Sequence, residues 1–142
     1  RGLMRRNPET GRYAAPEPGS QAFAELRLLG ETIRPTLERH FLTLALLQRQ
    51  GSGRITRRAL EEASHLLAQR LALLYEFNAP EFSEKSLFAG VVGHLIDSAI
   101  LREDEAGLLH FDERITVPAA QAELVLSAEV RQTILRMAGE GA

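Results

Sequence analysis

Residues 100–111 read Ile100-Leu101-Arg102-Glu103-Asp104-Glu105-Ala106-Gly107-Leu108-Leu109-His110-Phe111. An apolar run, a polar turn closed by glycine and a second apolar run predict a β-hairpin. The chain opens with the same pattern: Leu3-Met4-Arg5-Arg6, then Asn7-Pro8-Glu9-Thr10-Gly11, then Arg12-Tyr13-Ala14. After each hairpin come a proline-bearing loop and a helical stretch. Those stretches also match, Ile33-Arg34-Pro35-Thr36-Leu37 against Val130-Arg131-Gln132-Thr133-Ile134, about 97 residues apart. The expectation is that the chain begins on the closing hairpin of an earlier unit. Residues 1–19 are then hairpin and linker belonging to a preceding unit, and residues 20–142 form one helical domain.

Between the hairpins the signals are helical. Ala15-Pro16-Glu17-Pro18-Gly19 is a loop, and Ser20 can cap a helix after it by accepting a first-turn amide. The sequence predicts a short helix from Gln21 to Leu29, stopped by Gly30. Thr32 then caps a longer helix with Pro35 in its first turn, where a missing N–H costs nothing. Ile33, Leu37, Phe41, Leu44 and Leu47 form its apolar stripe, and Gly51-Ser52-Gly53 ends it. Arg54-Ile55 reads as a tiny strand. Thr56 caps a helix of about Arg57 to Glu76, with Leu60, Ala63, Leu67, Leu71 and Leu74 on one face, widened by Leu66 and Leu73. Asn78-Ala79-Pro80 stops it. Ser83 starts a third helix, to about Ala99, whose Leu87, Phe88, Val91, Val92, Leu95 and Ile96 leave little solvent-facing surface. A short helix of about Ala119 to Leu126 comes after Pro118. Ser127 caps the last helix, with Val130, Ile134 and Met137 on one face. The fold class is mainly α. Three helices, a tiny strand between the first two, and hairpins at about 3–14 and 100–111 give a winged-helix-like order.

Composition narrows the function classes. At 142 residues, 44% hydrophobic and 25% charged, the chain has the make-up of a globular domain. It contains no cysteine, so disulfides and thiolate metal sites are excluded. Apolar runs such as Leu44 to Leu47 and Leu71 to Tyr75 fall far short of the roughly 20 residues a membrane span needs. A winged helix that reads DNA needs cations on its third helix and wing. From Glu84 to Ile115 the bases are Lys85, Arg102 and Arg114, against Glu84, Asp97, Glu103, Asp104, Glu105, Asp112 and Glu113. Three against seven repels phosphate, so nucleic acid is not an expected partner, and a protein-contact role is favoured. The arginines of the opening hairpin, Arg1, Arg5, Arg6 and Arg12, leave a peripheral contact with anionic membrane open.

Few constellations suggest chemistry. Arg54, Arg57 and Arg58, with Arg49 nearby, cluster at a helix start, where phosphate can bind. Pairing of Arg57 and Arg58 with Glu61 and Glu62 is the favoured alternative. His94 and Asp97 share a helix face without a third ligand, and read as a structural contact on a buried helix. Ser64 and His65 are adjacent, so their side chains diverge. His110 beside Phe111 reads as cross-strand packing, and His40 sits at the edge of its stripe. No P-loop or dinucleotide fingerprint is present. No catalytic, cofactor-binding or metal residue is assigned.

Several stretches carry a family resemblance. They are Leu26-Arg27-Leu28-Leu29-Gly30-Glu31-Thr32-Ile33-Arg34-Pro35-Thr36-Leu37-Glu38-Arg39, Leu42-Thr43-Leu44-Ala45-Leu46-Leu47 with Gly51-Ser52-Gly53, and Ala68-Gln69-Arg70-Leu71-Ala72-Leu73-Leu74-Tyr75. Asn78-Ala79-Pro80-Glu81-Phe82, Leu108-Leu109-His110-Phe111-Asp112-Glu113-Arg114 and Leu126-Ser127-Ala128-Glu129-Val130-Arg131-Gln132-Thr133-Ile134-Leu135 complete the set. Together these resemble the C-terminal region of bacterial membrane-associated sn-glycerol-3-phosphate 1-O-acyltransferases. Ser83 after Phe82 departs from the bulkier residue expected there. The resemblance implies acyl transfer from acyl-CoA or acyl carrier protein to the first hydroxyl of glycerol 3-phosphate, giving lysophosphatidate. It also implies a peripheral location on the cytoplasmic face of the bacterial inner membrane, with the catalytic core of the same enzyme, or a second subunit, as partner. The family's reaction is thought to use a His-x4-Asp pair, the histidine as base and the aspartate orienting it. The matching positions after His40, His65, His94 and His110 are Ala45, Arg70, Ala99 and Ile115. The motif is absent, so this chain alone is expected to be inactive, an accessory domain whose catalytic core lies outside it. The alternative is an independent winged-helix module that binds protein or nucleic acid.

Overall fold

The computed structural model describes residues 4–75, 84–116 and 126–140. The chain divides into two compact units, residues 1–35 and 36–142. The expected stop at Asn78-Ala79-Pro80, the helix start at Ser83 and the short helix after Pro118 lie outside the described residues.

In the first unit, β1 (Arg5–Arg6) pairs antiparallel with β2 (Tyr13–Ala14), Arg5 opposite Ala14 and Arg6 opposite Tyr13. Asn7 organises the turn: its Oδ1 accepts the amides of Glu9 at 2.8 Å and Thr10 at 3.2 Å. Gly11 closes the turn with a left-handed φ of 67°, a conformation that favours glycine. As predicted, Ser20 caps the next helix, its Oγ accepting the Phe23 amide at 3.2 Å.

That helix, α1, runs unbroken from Gln21 to Gln50 through the boundary between the units. The sequence reading of two helices is therefore wrong. Gly30 costs about 1 kcal/mol relative to alanine inside a helix and does not end one by itself. Instead of capping, Thr32 turns its Oγ1 back to the Leu28 carbonyl at 2.9 Å. Pro35 lies inside the helix, where it removes one i→i−4 hydrogen bond. Burial further along outweighs that local cost. Phe41, Leu42, Leu44 and Leu47 are 4%, 0%, 1% and 0% exposed. Leu46 and Ala45 are buried as well, so this half of α1 is enclosed on all sides rather than along a stripe.

The rest of the second unit packs around it. α2 (Arg57–Tyr75) buries Leu60, Leu67 and Leu71, and the predicted Thr56 cap is present, its Oγ1 accepting the Ala59 amide at 3.2 Å. Leu66, Leu73 and Leu74 are exposed, against expectation. Leu66 and Leu73 lie off the inward face. Leu74 is in phase with that face, but periodicity sets which side points in and not how far along a helix the core extends. α3 (Lys85–Asp97) buries Phe88, Val91, Val92 and Leu95. It is not enclosed: Gly90, His94 and Asp97 recur at helical spacing and form an exposed strip. A second hairpin pairs β3 (Arg102–Glu103) with β4 (Leu109–His110), Arg102 opposite His110. A 3-10 turn at Glu113–Ile115 comes next. The last helix, α4 (Ala128–Glu140), buries Ile134 and Met137, and Ser127 caps it at 3.3 Å. The result is mainly α, with a hairpin before α1 and a second after α3.

Replacing the interior proline provides a test. Pro35→Ala restores an amide donor and relieves a clash worth about 3 kcal/mol, offset by about 1 kcal/mol of unfolded-chain entropy. The expected gain is about 2 kcal/mol, seen as a raised urea midpoint. An unchanged or lowered midpoint contradicts a helix continuous through residue 35.

Candidate functional site

Functional side chains in the second unit gather where the α1–α2 loop meets the second hairpin. α1 ends as the Gly51 amide bonds the Leu47 carbonyl at 3.0 Å. Gly51 and Gly53 then take left-handed φ values of 88° and 72°, which turn the chain towards β4. The Gly53 amide donates to the Leu109 carbonyl at 2.8 Å, and the Leu109 amide to the Ile55 carbonyl at 2.9 Å. The Ser52 Oγ accepts the Phe111 amide at 2.9 Å, and Thr56 bridges Leu108 antiparallel. Arg54-Ile55, expected as a tiny strand, is a bend; the pairing here is a single bridge at Thr56 with the backbone bonds of Gly53 and Ile55 beside it.

Asp104 starts the hairpin turn. Its Oδ1 accepts the amides of Ala106 at 2.9 Å and Leu108 at 2.8 Å. Its Oδ2 lies 2.8 Å from His110 Nε2. The hydrogen bond to His110, then that from the Leu108 amide, holds the Asp104 carboxyl below the usual carboxylate range. Sequence reasoning missed this pair and read His110 as packing. The signal was the hairpin register, which brings the turn's first acid beside the second strand.

A paired histidine and aspartate is the geometry of an oriented general base. Here the ring packs against the loop, with its side chain 42% exposed. A Cβ placed on Gly53 would sit 2.8 Å from His110 Cε1 and 3.2 Å from Nδ1. The ring therefore rests over Gly53, where only glycine leaves space for it. The pair fastens the hairpin to the loop.

The arginines expected as an anion site do not converge. Arg57 Nε bonds Glu61 Oε1 at 2.9 Å, as the favoured alternative predicts. Glu62, expected to pair with Arg58, takes Lys85 of α3, whose hydrogen bond and charge lower the Glu62 pKa. Arg49 lies along Gly139 of α4. An open cleft at the α2 N-terminus is lined by Arg57, Arg58 and Gly107, but also by Glu61 and Glu103. Two of the helix-start amides are already used, Arg57 by the Gly107 carbonyl and Ala59 by Thr56. Phosphate would meet carboxylates and spent donors.

The remaining histidines make no site. His94 and Asp97 are exposed rather than buried, and the His94 ring meets His40 edge-on, centroids 6.1 Å apart. The His40 Nδ1 lies 2.8 Å from the Thr36 carbonyl. Ser64 is buried and His65 half-buried. Among the described residues, no three His, Asp or Glu side chains converge to hold a metal. An apolar cavity of about 120 Å³, lined by Leu46, Ala63, Leu66, Leu67, Arg70 and Met137, lacks the convergent polar groups that would orient a ligand. No described helix is long and apolar enough to cross a membrane.

Residues 1–104 match the family described as the glycerol-3-phosphate acyltransferase C-terminal region. A glycerol-3-phosphate acyltransferase of Pseudomonas fluorescens strain Pf0-1 is 39% identical over 138 residues, 96% of this chain and 16% of the relative. One from Pseudomonas aeruginosa strain UCBPP-PA14 is 38% identical over 140 residues, 98% of this chain and again 16% of the relative. The chain thus spans about a sixth of the length of the curated relatives it matches. No solved structure matches.

The Asp104 contacts predict a pH signature. A carboxyl with a lowered folded pKa adds stability above its unfolded value, and loses it as pH falls through the folded value. Asp104→Asn is expected to be less stable than the parent near neutral pH, with the gap steady down to the ordinary carboxylate range, about 4, and closing below it. Urea midpoints across that range measure it; a gap independent of pH contradicts the assignment.

Proposed function

The chain belongs to the family of glycerol-3-phosphate acyltransferase C-terminal regions, and from that premise we propose that it is a non-catalytic accessory part of such an enzyme. The enzyme moves an acyl group from acyl-CoA or acyl carrier protein to the first hydroxyl of glycerol 3-phosphate, and the catalytic core lies elsewhere in the polypeptide. The observation that carries this is the match over residues 1–104, joined to a chain whose four histidines lack an aspartate five positions on. An independent binding module is the weaker reading, since the relatives are named as acyltransferases along nearly the whole of this chain.

The working location is peripheral, on the cytoplasmic face of the bacterial inner membrane. Arg6 and Arg12 are exposed in the first hairpin, and Tyr13 is 64% exposed between the strands' ends. Exposed arginines each add about 1 kcal/mol of attraction to an anionic surface, and an aromatic ring suits the interface.

Two measurements test these readings. Pure 142-residue chain is expected to transfer no acyl group to glycerol 3-phosphate under conditions in which the full-length enzyme does; turnover by the chain alone overturns the accessory role. Co-sedimentation with anionic vesicles is expected to weaken in the Arg6→Ala/Arg12→Ala variant, and unchanged binding removes the hairpin from membrane contact.

A further inference from the structure

α1 has two unlike halves. From Phe41 to Leu47 every residue is buried, whereas from Gln21 to Arg34 none is. The second stretch is not polar. Leu26, Leu29 and Ile33 recur at helical spacing and, with Ala22, make one apolar face. Leu29 is 54% exposed and Ile33 46%. Ala22 and Leu26 are half-buried, so the face is open chiefly at Leu29 and Ile33.

The charges on the stretch indicate what kind of surface fits. A helix that lies on lipid carries Lys and Arg on its polar side. Here Arg27 and Arg34 are balanced by Glu25 and Glu31, and Arg27 lies 3.7 Å from Glu31. An apolar stripe backed by a neutral polar face suits another protein surface better than an anionic membrane. The length of the relatives supplies the candidate. The chain spans 16% of an acyltransferase polypeptide whose C-terminal region it matches, so the bulk of such a protein precedes these residues. The unit bearing this face is also the one at that end.

We propose that the Ala22-Leu26-Leu29-Ile33 face of α1 is the surface on which the preceding part of the same acyltransferase polypeptide docks. This rests on the accessory-domain reading and goes further by naming the contact face. It places the interface on this face rather than on Leu28 elsewhere on α1, on Leu66, Leu73 and Leu74 of α2, or on Leu135 of α4.

Cysteine accessibility in the full-length enzyme tests it. Leu29→Cys and Ile33→Cys are compared with Gln69→Cys, an exposed α2 position, by mass spectrometry of the peptide bearing each site after maleimide labelling. The full-length enzyme is stripped of lipid in detergent. Labelling at 29 and 33 is expected to be at least about ten-fold slower than at 69, as for a site reached only by local opening. A photo-reactive group at position 29 is expected to cross-link within one polypeptide. Equal rates at all three sites overturn the proposal. So does protection seen in membranes but lost in detergent, which assigns the face to lipid, and so does a cross-link between two copies. Acyl transfer by the isolated chain sinks the accessory reading instead, and leaves the labelling result to be judged by itself.

Discussion

The second unit depends on the pairing of residues 52–56 with residues 108–111. Those segments are more than fifty positions apart in sequence, and few backbone bonds join them. Gly53 to Leu109, Leu109 to Ile55, and the Thr56–Leu108 bridge fix the hairpin to the turn between α1 and α2. α2 and α3 lie between the joined ends, so closing this loop places both helices against the buried half of α1. Closure costs chain entropy that rises only slowly with loop length, and the enclosed core offsets it. Leu101, Leu109 and Ile115 enter that core from the hairpin side, 0%, 0% and 3% exposed. The His110 ring over Gly53 works at the same junction: glycine supplies both the left-handed turn and the space for the imidazole.

Much of this order can be read from the residues. The helix starts at Ser20, Thr56 and Ser127 were legible because a hydroxyl capping a first-turn amide is a local event. The inward faces of α2 and α4 were legible because burial tracks the helical period. The hairpins were legible as apolar runs around a polar turn, and their likeness is geometric. Asn7 and Asp104 both accept two turn amides, and Gly11 and Gly107 both close with positive φ.

What the residues hid depends on distant contacts. Gly30, Thr32 and Pro35 together look like a helix boundary, and each has a local reason to be one. α1 continues because its far half is enclosed, a fact set by residues elsewhere in the chain. Lys85 displaced Arg58 as the partner of Glu62 by the same logic: an i,i+4 pair on a helix competes with any cation a neighbouring helix presents. The exposure of Leu73 at 82% could not be read from a sequence in which it resembles every other core leucine.

The candidate site shows how a motif can mislead in either direction. The sequence lacks the His-x4-Asp spacing, yet folding brings His110 and Asp104 into hydrogen-bond contact across a turn. Contact between imidazole and carboxylate is necessary for an oriented base and not sufficient for one. The base must also present its second nitrogen to an approaching hydroxyl. The His110 ring packs over Gly53, and the adjoining Ser52 and Leu109 are held by the hairpin ladder. Moving the ring away would take apart the pairing on which the second unit depends. The same contacts fasten the hairpin to the α1–α2 loop, so the pair has a structural role in this unit whatever else it does.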